Sequence, residues 1–153
     1  MGLKEKISED LKGSMKAGDK TRTETLRSIR AALLEREIEK RGSGTGLTPD
    51  DELGVLSTAA KKRRESIEMF RKGGREDLVA AESRELAIIE EYLPKQLSEG
   101  DVEAEVRNVI AGLGARSASD FGRVMPAVMK LLKGKADGRV IQEKVKKALG
   151  ELT

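Results

Sequence analysis

Apolar residues recur every three or four positions along most of the chain, as they do on one face of an amphipathic helix. The first such segment contains Leu3, Ile7, Leu11 and Met15, each four residues after the previous one. No segment shows the sustained alternation of apolar and polar residues that predicts a β-strand. The pattern predicts an all-α fold with six further apolar stripes: Leu26, Ile29, Leu33, Ile38; Leu53, Leu56, Ala60, Ile67, Phe70; Leu78, Leu86, Ile89, Leu93; Val102, Val106, Val109, Ile110; Phe121, Val124, Met125, Val128, Leu131, Leu132; Ile141, Val145, Ala148, Leu149.

Residues that favour the start of a helix precede several of these stripes. Asp19, Ser98 and Asp137 can each accept hydrogen bonds from the amides of the turn that follows. Thr48 followed by Pro49 is the clearest start signal, because a capping hydroxyl, a proline in the first turn and acidic residues at the positive end of the helix dipole occur together. These positions predict where four of the helices begin.

Two segments interrupt the helical pattern. The glycine-rich stretch at residues 42–46 predicts a flexible loop. Pro126 lies inside the sixth stripe, and its ring displaces the preceding turn of a helix. We therefore expect the sixth helix to be kinked or split in two, with Ser117 or Ser119 at its start.

A domain boundary is expected between residues 91 and 97. Pro94 disfavours helical geometry at Leu93, and the composition of the chain changes just beyond it. The sequence thus predicts a four-helix bundle-like domain at residues 1–94 and a smaller three-helix domain at residues 95–153.

The composition excludes several classes of active site. Histidine and cysteine are absent, so the chain has no Ser–His or Cys–His nucleophile, no disulfide framework and no zinc thiolate site. Gly134 and Lys135 superficially resemble a phosphate loop, but the earlier glycine and the following Ser or Thr are missing. We expect no catalytic residues, no metal and no cofactor, although spacing alone leaves Ser–Lys chemistry open.

The sequence also predicts a location. It contains no run of 18 apolar residues, and its first 12 residues lack the apolar core of a signal peptide. We therefore expect a cytoplasmic protein that does not contact a membrane.

Positive charge is concentrated in one part of the chain. Residues 1–94 contain 19 basic and 19 acidic side chains, whereas residues 116–149 contain nine basic and three acidic ones. A local excess of this kind indicates a polyanionic partner, and ordinary solvation of a polar helix face is the alternative. The candidate RNA-binding side chains come before the sixth helix, from that helix, or from beside the turn that follows it: Arg116, Arg123, Lys130, Lys133, Lys135 and Arg139.

The expected RNA is folded rather than single-stranded. Phosphate contacts position an RNA without reading its bases. Only Phe70, Tyr92 and Phe121 are aromatic, so the chain lacks the stacking platform that binds single strands. Recognition of a folded RNA by its shape fits this composition better.

A second basic cluster contains Lys62, Arg63 and Arg64. Consecutive residues point to different sides of a helix, so they cannot all line one groove. One interpretation is that an arginine covers the apolar stripe and pairs with an acid on a neighbouring helix. The other is a secondary contact with a phosphate or a partner.

Motifs spread over nearly the whole chain resemble those of the GatB/YqeY family. They are DFGRVM at residues 120–125, KGKADGRV at 133–140, TLR at 25–27, KRRESI at 62–67, GREDL at 74–78 and YLP at 92–94. The resemblance implies a two-part helical protein whose smaller part is similar to the tail of the B subunit of the tRNA-dependent amidotransferase. That enzyme converts mischarged Glu-tRNA or Asp-tRNA to the amide form, and its tail is associated with holding tRNA.

The resemblance implies binding rather than catalysis, because the phosphorylation and glutaminase chemistry of that enzyme lies in domains for which this chain is too short. We expect a non-catalytic tRNA-binding or tRNA-amidotransferase-like accessory protein. One alternative is a helical protein-interaction module that docks a translation or amidotransferase protein. Another is glutamine-dependent carbon–nitrogen ligase activity, by association with the family.

Overall fold

The computed structural model describes residues 2–44 and 46–152. All regular structure in these residues is helical, which confirms the all-α prediction. The chain divides into two compact units, one ending at Leu93 and the other beginning at Pro94. That residues 1–94 and 95–153 are a four-helix and a three-helix domain stays a prediction.

Within the described residues, the first unit contains four α-helices, and cap residues account for several of their ends. The side chain of Asp19 accepts the N–H of Arg22 at 3.1 Å, and Thr48 forms a reciprocal capping box with Asp51. The first helix ends at Gly18, whose φ of 70° lies in the left-handed region that favours glycine. The predicted caps at Asp19 and Thr48 are confirmed. The helices are α1 Leu3–Ala17, α2 Lys20–Glu39, α3 Pro49–Lys72 and α4 Glu76–Glu90.

The predicted flexible loop at residues 42–46 differs in part from the structure. Its first residues belong to a short 3₁₀ helix, Arg41–Ser43, which ends at Gly44. Thr45 lies outside the described residues.

Two residues predicted to face the first core are exposed instead. Met15 is 54% exposed and Ile38 is 51% exposed. With 3.6 residues per turn, each four-residue step drifts about 40° around the helix, so the fourth position of the α1 stripe leaves the buried face. Ser14 takes that place, and its hydroxyl is satisfied by the Leu11 carbonyl at 2.8 Å. The buried residues of this core are Ile7, Leu11, Leu26, Ile29, Leu33, Leu56, Ala60 and Ile89.

The part of the second unit that the structure describes contains three α-helices and one short 3₁₀ helix. Ser98 and Asp137 cap their helices as predicted, and Ser117 caps the 3₁₀ turn that leads into the sixth helix. That helix continues through Pro126, so of the two predicted outcomes the split is wrong, and the kink stays a prediction. Pro126 is exposed there, and its missing N–H costs one hydrogen bond without breaking the helix. The elements are α5 Glu99–Leu113, the 3₁₀ helix Ala118–Asp120, α6 Phe121–Leu132 and α7 Gly138–Gly150.

The core of the second unit is built from aliphatic side chains of all three helices. Leu131 is 47% exposed, although its stripe predicted it to be buried, and Leu132 fills the core in the same turn. The buried residues are Val102, Val106, Ile110, Val124, Val128, Leu132, Ile141, Val145, Ala148 and Leu149.

The described helices are all too short or too polar to cross a membrane.

Candidate nucleic-acid interface

The turn between α6 and α7 exposes lysine side chains and also contains a partly buried residue that packs against the core. Lys133 and Lys135 are exposed, whereas Ala136 packs against the core of the second unit. Between the lysines, Gly134 has a φ of 76°, a conformation that residues with a Cβ rarely adopt. The turn therefore places two solvent-exposed lysines next to an alanine that packs against the core.

Hydrogen bonds from a second segment fix the backbone of this turn. The Leu97 N–H donates to the Lys135 carbonyl at 2.8 Å, and the Gln96 side-chain amide donates to the Gly134 carbonyl at 2.7 Å. Within the turn, the Lys135 N–H donates to the Leu132 carbonyl at 2.9 Å. Leu97 itself packs against the second core. The lysines thus extend from a backbone that is held on both sides.

The start of α7 lies directly after this turn and carries its own anion. The Asp137 carboxylate accepts the N–H of Arg139 at 3.0 Å. This satisfies one of the free amides of the first turn, and the negative charge of the carboxylate opposes a second anion at the same position. Anion binding at this helix start would thus depend on the neighbouring lysine and arginine side chains.

The structure separates the six candidate RNA-binding residues into two groups. Arg116 and Arg123 lie near the start of α6. Arg123 and Lys130 are seven residues apart on α6, about 10 Å along the axis at 1.5 Å per residue. The second group flanks the α6–α7 turn and is called the elbow below: Lys130, Lys133, Lys135 and Arg139, all of which are exposed.

Arg123 is engaged with the protein itself. Its guanidinium donates to the Leu113 carbonyl at 2.8 Å, in the last turn of α5, and pairs with Asp120 at 3.3 Å. Asp120 also accepts the backbone N–H of Arg116 at 2.7 Å. Half of the Arg123 side chain stays exposed, so it braces the corner between α5 and α6 while presenting charge to solvent.

The hydrogen bonds to Asp120 at this corner predict that the stability of the fold depends on pH. Donation from the backbone N–H groups of Arg116 and Ser117, with a smaller contribution from Arg123, lowers the pKa of Asp120. A carboxylate whose folded-state pKa is lowered stabilises the fold above its unfolded value of about 3.9, and this contribution disappears as pH falls through the folded pKa.

We therefore expect Asp120→Asn to lower the free energy of unfolding at pH 7, with the difference from the parent shrinking toward pH 2. Urea unfolding at both pH values measures it. If the two proteins differ in free energy of unfolding by the same amount at pH 7 and at pH 2, the Asp120 carboxylate does not stabilise the fold in this way.

Two of the three remaining lysines of α7 are paired with carboxylates. Lys144 pairs with Glu99 at 3.6 Å, and Lys147 lies 4.0 Å from Glu103, both carboxylates belonging to α5. Lys146 lies 5.8 Å from the centre of the Phe121 ring. The charge count over residues 116–149 includes the paired Lys144 and Lys147 and therefore overstates the basic surface. Acidic residues four apart on α5 were the signal for this pairing.

At three of the candidate positions, the charge is both exposed and unneutralised. Within residues 2–44 and 46–152, no carboxylate lies within 4 Å of the side-chain nitrogens of Arg116, Lys130 or Lys135. Two of these side chains belong to the elbow. The elbow thus combines a fixed backbone with two lysines, Lys130 and Lys135, whose charge is available to a polyanion.

Comparison with known proteins agrees with the sequence motifs. Residues 4–149 match the family described as YqeY-like protein. The chain belongs to the YqeY-like family. This confirms the resemblance to the GatB/YqeY family that the motifs indicated.

Curated relatives of this YqeY-like chain share the name "Altered inheritance of mitochondria protein 41, mitochondrial". The protein from Pyrenophora tritici-repentis is 30% identical over 95% of this chain and 80% of its own length. Those from Eremothecium gossypii and Lachancea thermotolerans are 37% and 33% identical over 57% and 70% of this chain, and the chain spans only 46% and 57% of their lengths. The expectation of a cytoplasmic location is wrong by this comparison, because the relatives are named as mitochondrial.

The second basic cluster of this YqeY-like chain faces carboxylates of the neighbouring helix. Arg63 lies 3.9 Å from Glu85, and Arg64 lies 3.7 Å from Glu90, with both arginine side chains about three-quarters or more buried. Lys62 is exposed. These contacts match the interpretation of arginines paired between helices, and a secondary RNA contact at these residues stays a prediction.

The YLP motif of the YqeY-like chain takes part in a polar network of the first unit. The Tyr92 hydroxyl donates to Asp10, and Arg22 pairs with Glu91 at 2.6 Å. Burial and the Asp10 carboxylate raise the pKa of Tyr92. Lys6 lies 5.5 Å from the centre of the Tyr92 ring. This network ties the end of the first unit to α1 and α2.

An open cleft of about 290 Å³ lies beside this network. It is lined by Glu9, Asp10, Gly13, Ser14, Ala17, Asp19 and Arg22. The Ser14 hydroxyl is committed to the Leu11 carbonyl and to Thr23. Among the described residues, no group of three or more His, Cys, Asp or Glu is arranged to hold a metal ion. The cleft therefore offers acidic side chains and one arginine rather than an activated nucleophile.

Proposed function

We propose that this chain is a non-catalytic tRNA-binding accessory protein, similar in role to the tail of a tRNA amidotransferase, and that the elbow holds the RNA backbone. The observation that supports it is the pair of exposed, unneutralised lysines, Lys130 and Lys135, beside a turn whose backbone is fixed by Gln96 and Leu97. Lysines on a held backbone contact phosphates at a lower cost in conformational entropy. The carbon–nitrogen ligase activity associated with the family stays a prediction.

Folded RNA is the proposed ligand class. Phe121 and Tyr92 are half-buried, and each ring lies under a lysine of its own unit. In the second unit Phe121 is the one aromatic residue of the sequence, and a lysine above its ring competes with a stacked base, the contact by which proteins bind single strands. Phosphate contacts alone select the shape of a folded RNA.

Fluorescence anisotropy with labelled tRNA at about 50 mM and 200 mM salt tests this function. Four phosphate contacts give a slope of log K against log [salt] of about −3, so the affinity should fall roughly 50- to 150-fold between the two concentrations. A single-stranded RNA of equal length should bind more weakly. Failure to bind any tRNA at 50 mM salt would overturn the proposal.

Removing the negative charge at the start of α7 is expected to strengthen tRNA binding. Asp137→Asn keeps a good capping side chain but removes the negative charge beside the elbow. We expect tRNA affinity to rise about two- to fivefold, because a charge at a helix end contributes about 0.3–1 kcal/mol. Asp101→Asn, in the first turn of α5, is the control and should change affinity much less. Equal affinity for the parent and Asp137→Asn would place the RNA elsewhere.

A protein-interaction module is the second candidate function. Leu34 and Ile38 are 43% and 51% exposed and lie four residues apart on α2, so they share one face. An amidotransferase or translation protein that docks there should bind the Leu34→Ser/Ile38→Ser variant more weakly by calorimetry. Unchanged binding would remove this face from consideration.

A further inference from the structure

Gln96 links two segments of the second unit through its side-chain amide. Its Nε2 donates to the Pro94 carbonyl at 2.9 Å and to the Gly134 carbonyl at 2.7 Å. One bond fixes the side chain to its own segment, and the other reaches the turn between the two elbow lysines, Lys133 and Lys135. Gln96 is half-buried, whereas both lysines are exposed.

Within the turn, the bond from the Lys135 N–H to the Leu132 carbonyl holds one side of the Gly134–Lys135 peptide group, and Gln96 holds the other side. Gly134 carries no side chain to pack and loses more conformational freedom on ordering than any other residue type. The Leu97 N–H bond to the Lys135 carbonyl fixes one side of the turn, and the Gln96 bond fixes the Gly134 carbonyl on the other. Without Gln96 the Gly134 carbonyl would lose its side-chain donor, and within that peptide group only the bond from the Lys135 N–H to the Leu132 carbonyl would be left.

We propose that Gln96 is a positioning residue for RNA binding: it orders the α6–α7 turn before RNA arrives, so the elbow lysines are presented together. This inference rests on the proposed function of the elbow. Gln96 itself carries no charge and contributes no phosphate contact. Its effect is to lower the ordering cost that binding would otherwise include.

The expected signature of Gln96→Ala separates positioning from charge and from folding. tRNA affinity should fall roughly three- to tenfold, as for one lost hydrogen bond, while the slope of affinity against salt stays unchanged because the number of phosphate contacts is the same. The stoichiometry at saturation should also stay unchanged, whereas a variant that only unfolds loses binding-competent protein. In the free protein, hydrogen exchange at the Lys135 amide should accelerate.

Gln142→Ala is the matched control, because Gln142 is an exposed glutamine on α7 and its loss should change neither affinity nor exchange at Lys135. Gln96→Asn keeps the amide but is one methylene shorter, and it replaces the alanine variant if that variant unfolds at the assay temperature.

The outcomes of this experiment separate the two proposals. If the parent protein binds no tRNA, the proposed function fails, and faster exchange at Lys135 in Gln96→Ala would still show that Gln96 orders the turn. If tRNA binds and Gln96→Ala matches the parent in affinity, the positioning role is overturned. If the variant lowers the salt slope together with affinity, Gln96 acts on the phosphate contacts themselves, and this also overturns it.

Discussion

Lys130→Glu/Lys135→Glu is expected to weaken tRNA binding at least about 25-fold at roughly 0.1 M salt. Two lost phosphate contacts, each with a salt slope of about 0.7–0.9, give about 25- to 60-fold at that concentration, and repulsion by the new carboxylates adds to it. The slope of log K against log [salt] should become shallower by about 1.4–1.8. Both lysines are exposed, so the helical circular dichroism should not change.

Lys12→Glu/Lys16→Glu is the matched control for this double reversal. These lysines are exposed on α1, in the first unit, and their replacement changes the net charge of the chain by the same amount. We expect only a small loss of affinity from the change in overall charge. Equal losses from both double variants would show that net charge, and not the elbow, governs binding.

Leu132→Ala is expected to lower the free energy of unfolding by about 2–5 kcal/mol, the cost of truncating a buried leucine. Leu132 is 2% exposed at the end of α6, and its carbonyl accepts the N–H of Lys135. The cavity left by the truncated side chain would therefore lie directly beneath the elbow. Urea unfolding followed by circular dichroism measures it, and binding of tRNA should weaken under conditions in which the second unit begins to unfold.

The neighbouring residue supplies the control for this substitution. Leu131 is 47% exposed, so Leu131→Ala should change the free energy of unfolding by no more than about 0.5 kcal/mol. Similar losses from the two variants would contradict the arrangement of α6 against the second core.

The sequence predicted most of the fold because its signals are local. Cap residues such as Asp19, Thr48 and Asp137 define helix starts through hydrogen bonds within four residues, and the structure contains each of them. Errors arose where a position depends on what packs against it. Met15 and Ile38 end their stripes, and both lie beyond the buried face.

The candidate site was less accessible to prediction than the helices. Charge along the sequence showed where basic residues are concentrated, but the acids that neutralise Lys144 and Lys147 lie on α5, about 45 residues away in the chain. The contribution of Gln96 depends on a hydrogen bond to Gly134, 38 residues later. No local pattern encodes such a pairing, since it follows from how the three helices of the second unit pack.

An NMR titration of the ¹⁵N-labelled chain with tRNA at low salt tests the central claim most directly. The largest amide shift changes should fall between Lys130 and Arg139, and they should reverse when salt is added. Changes that are absent from this segment, or that are largest around Lys62, Arg63 and Arg64, would contradict the assignment of RNA binding to the elbow.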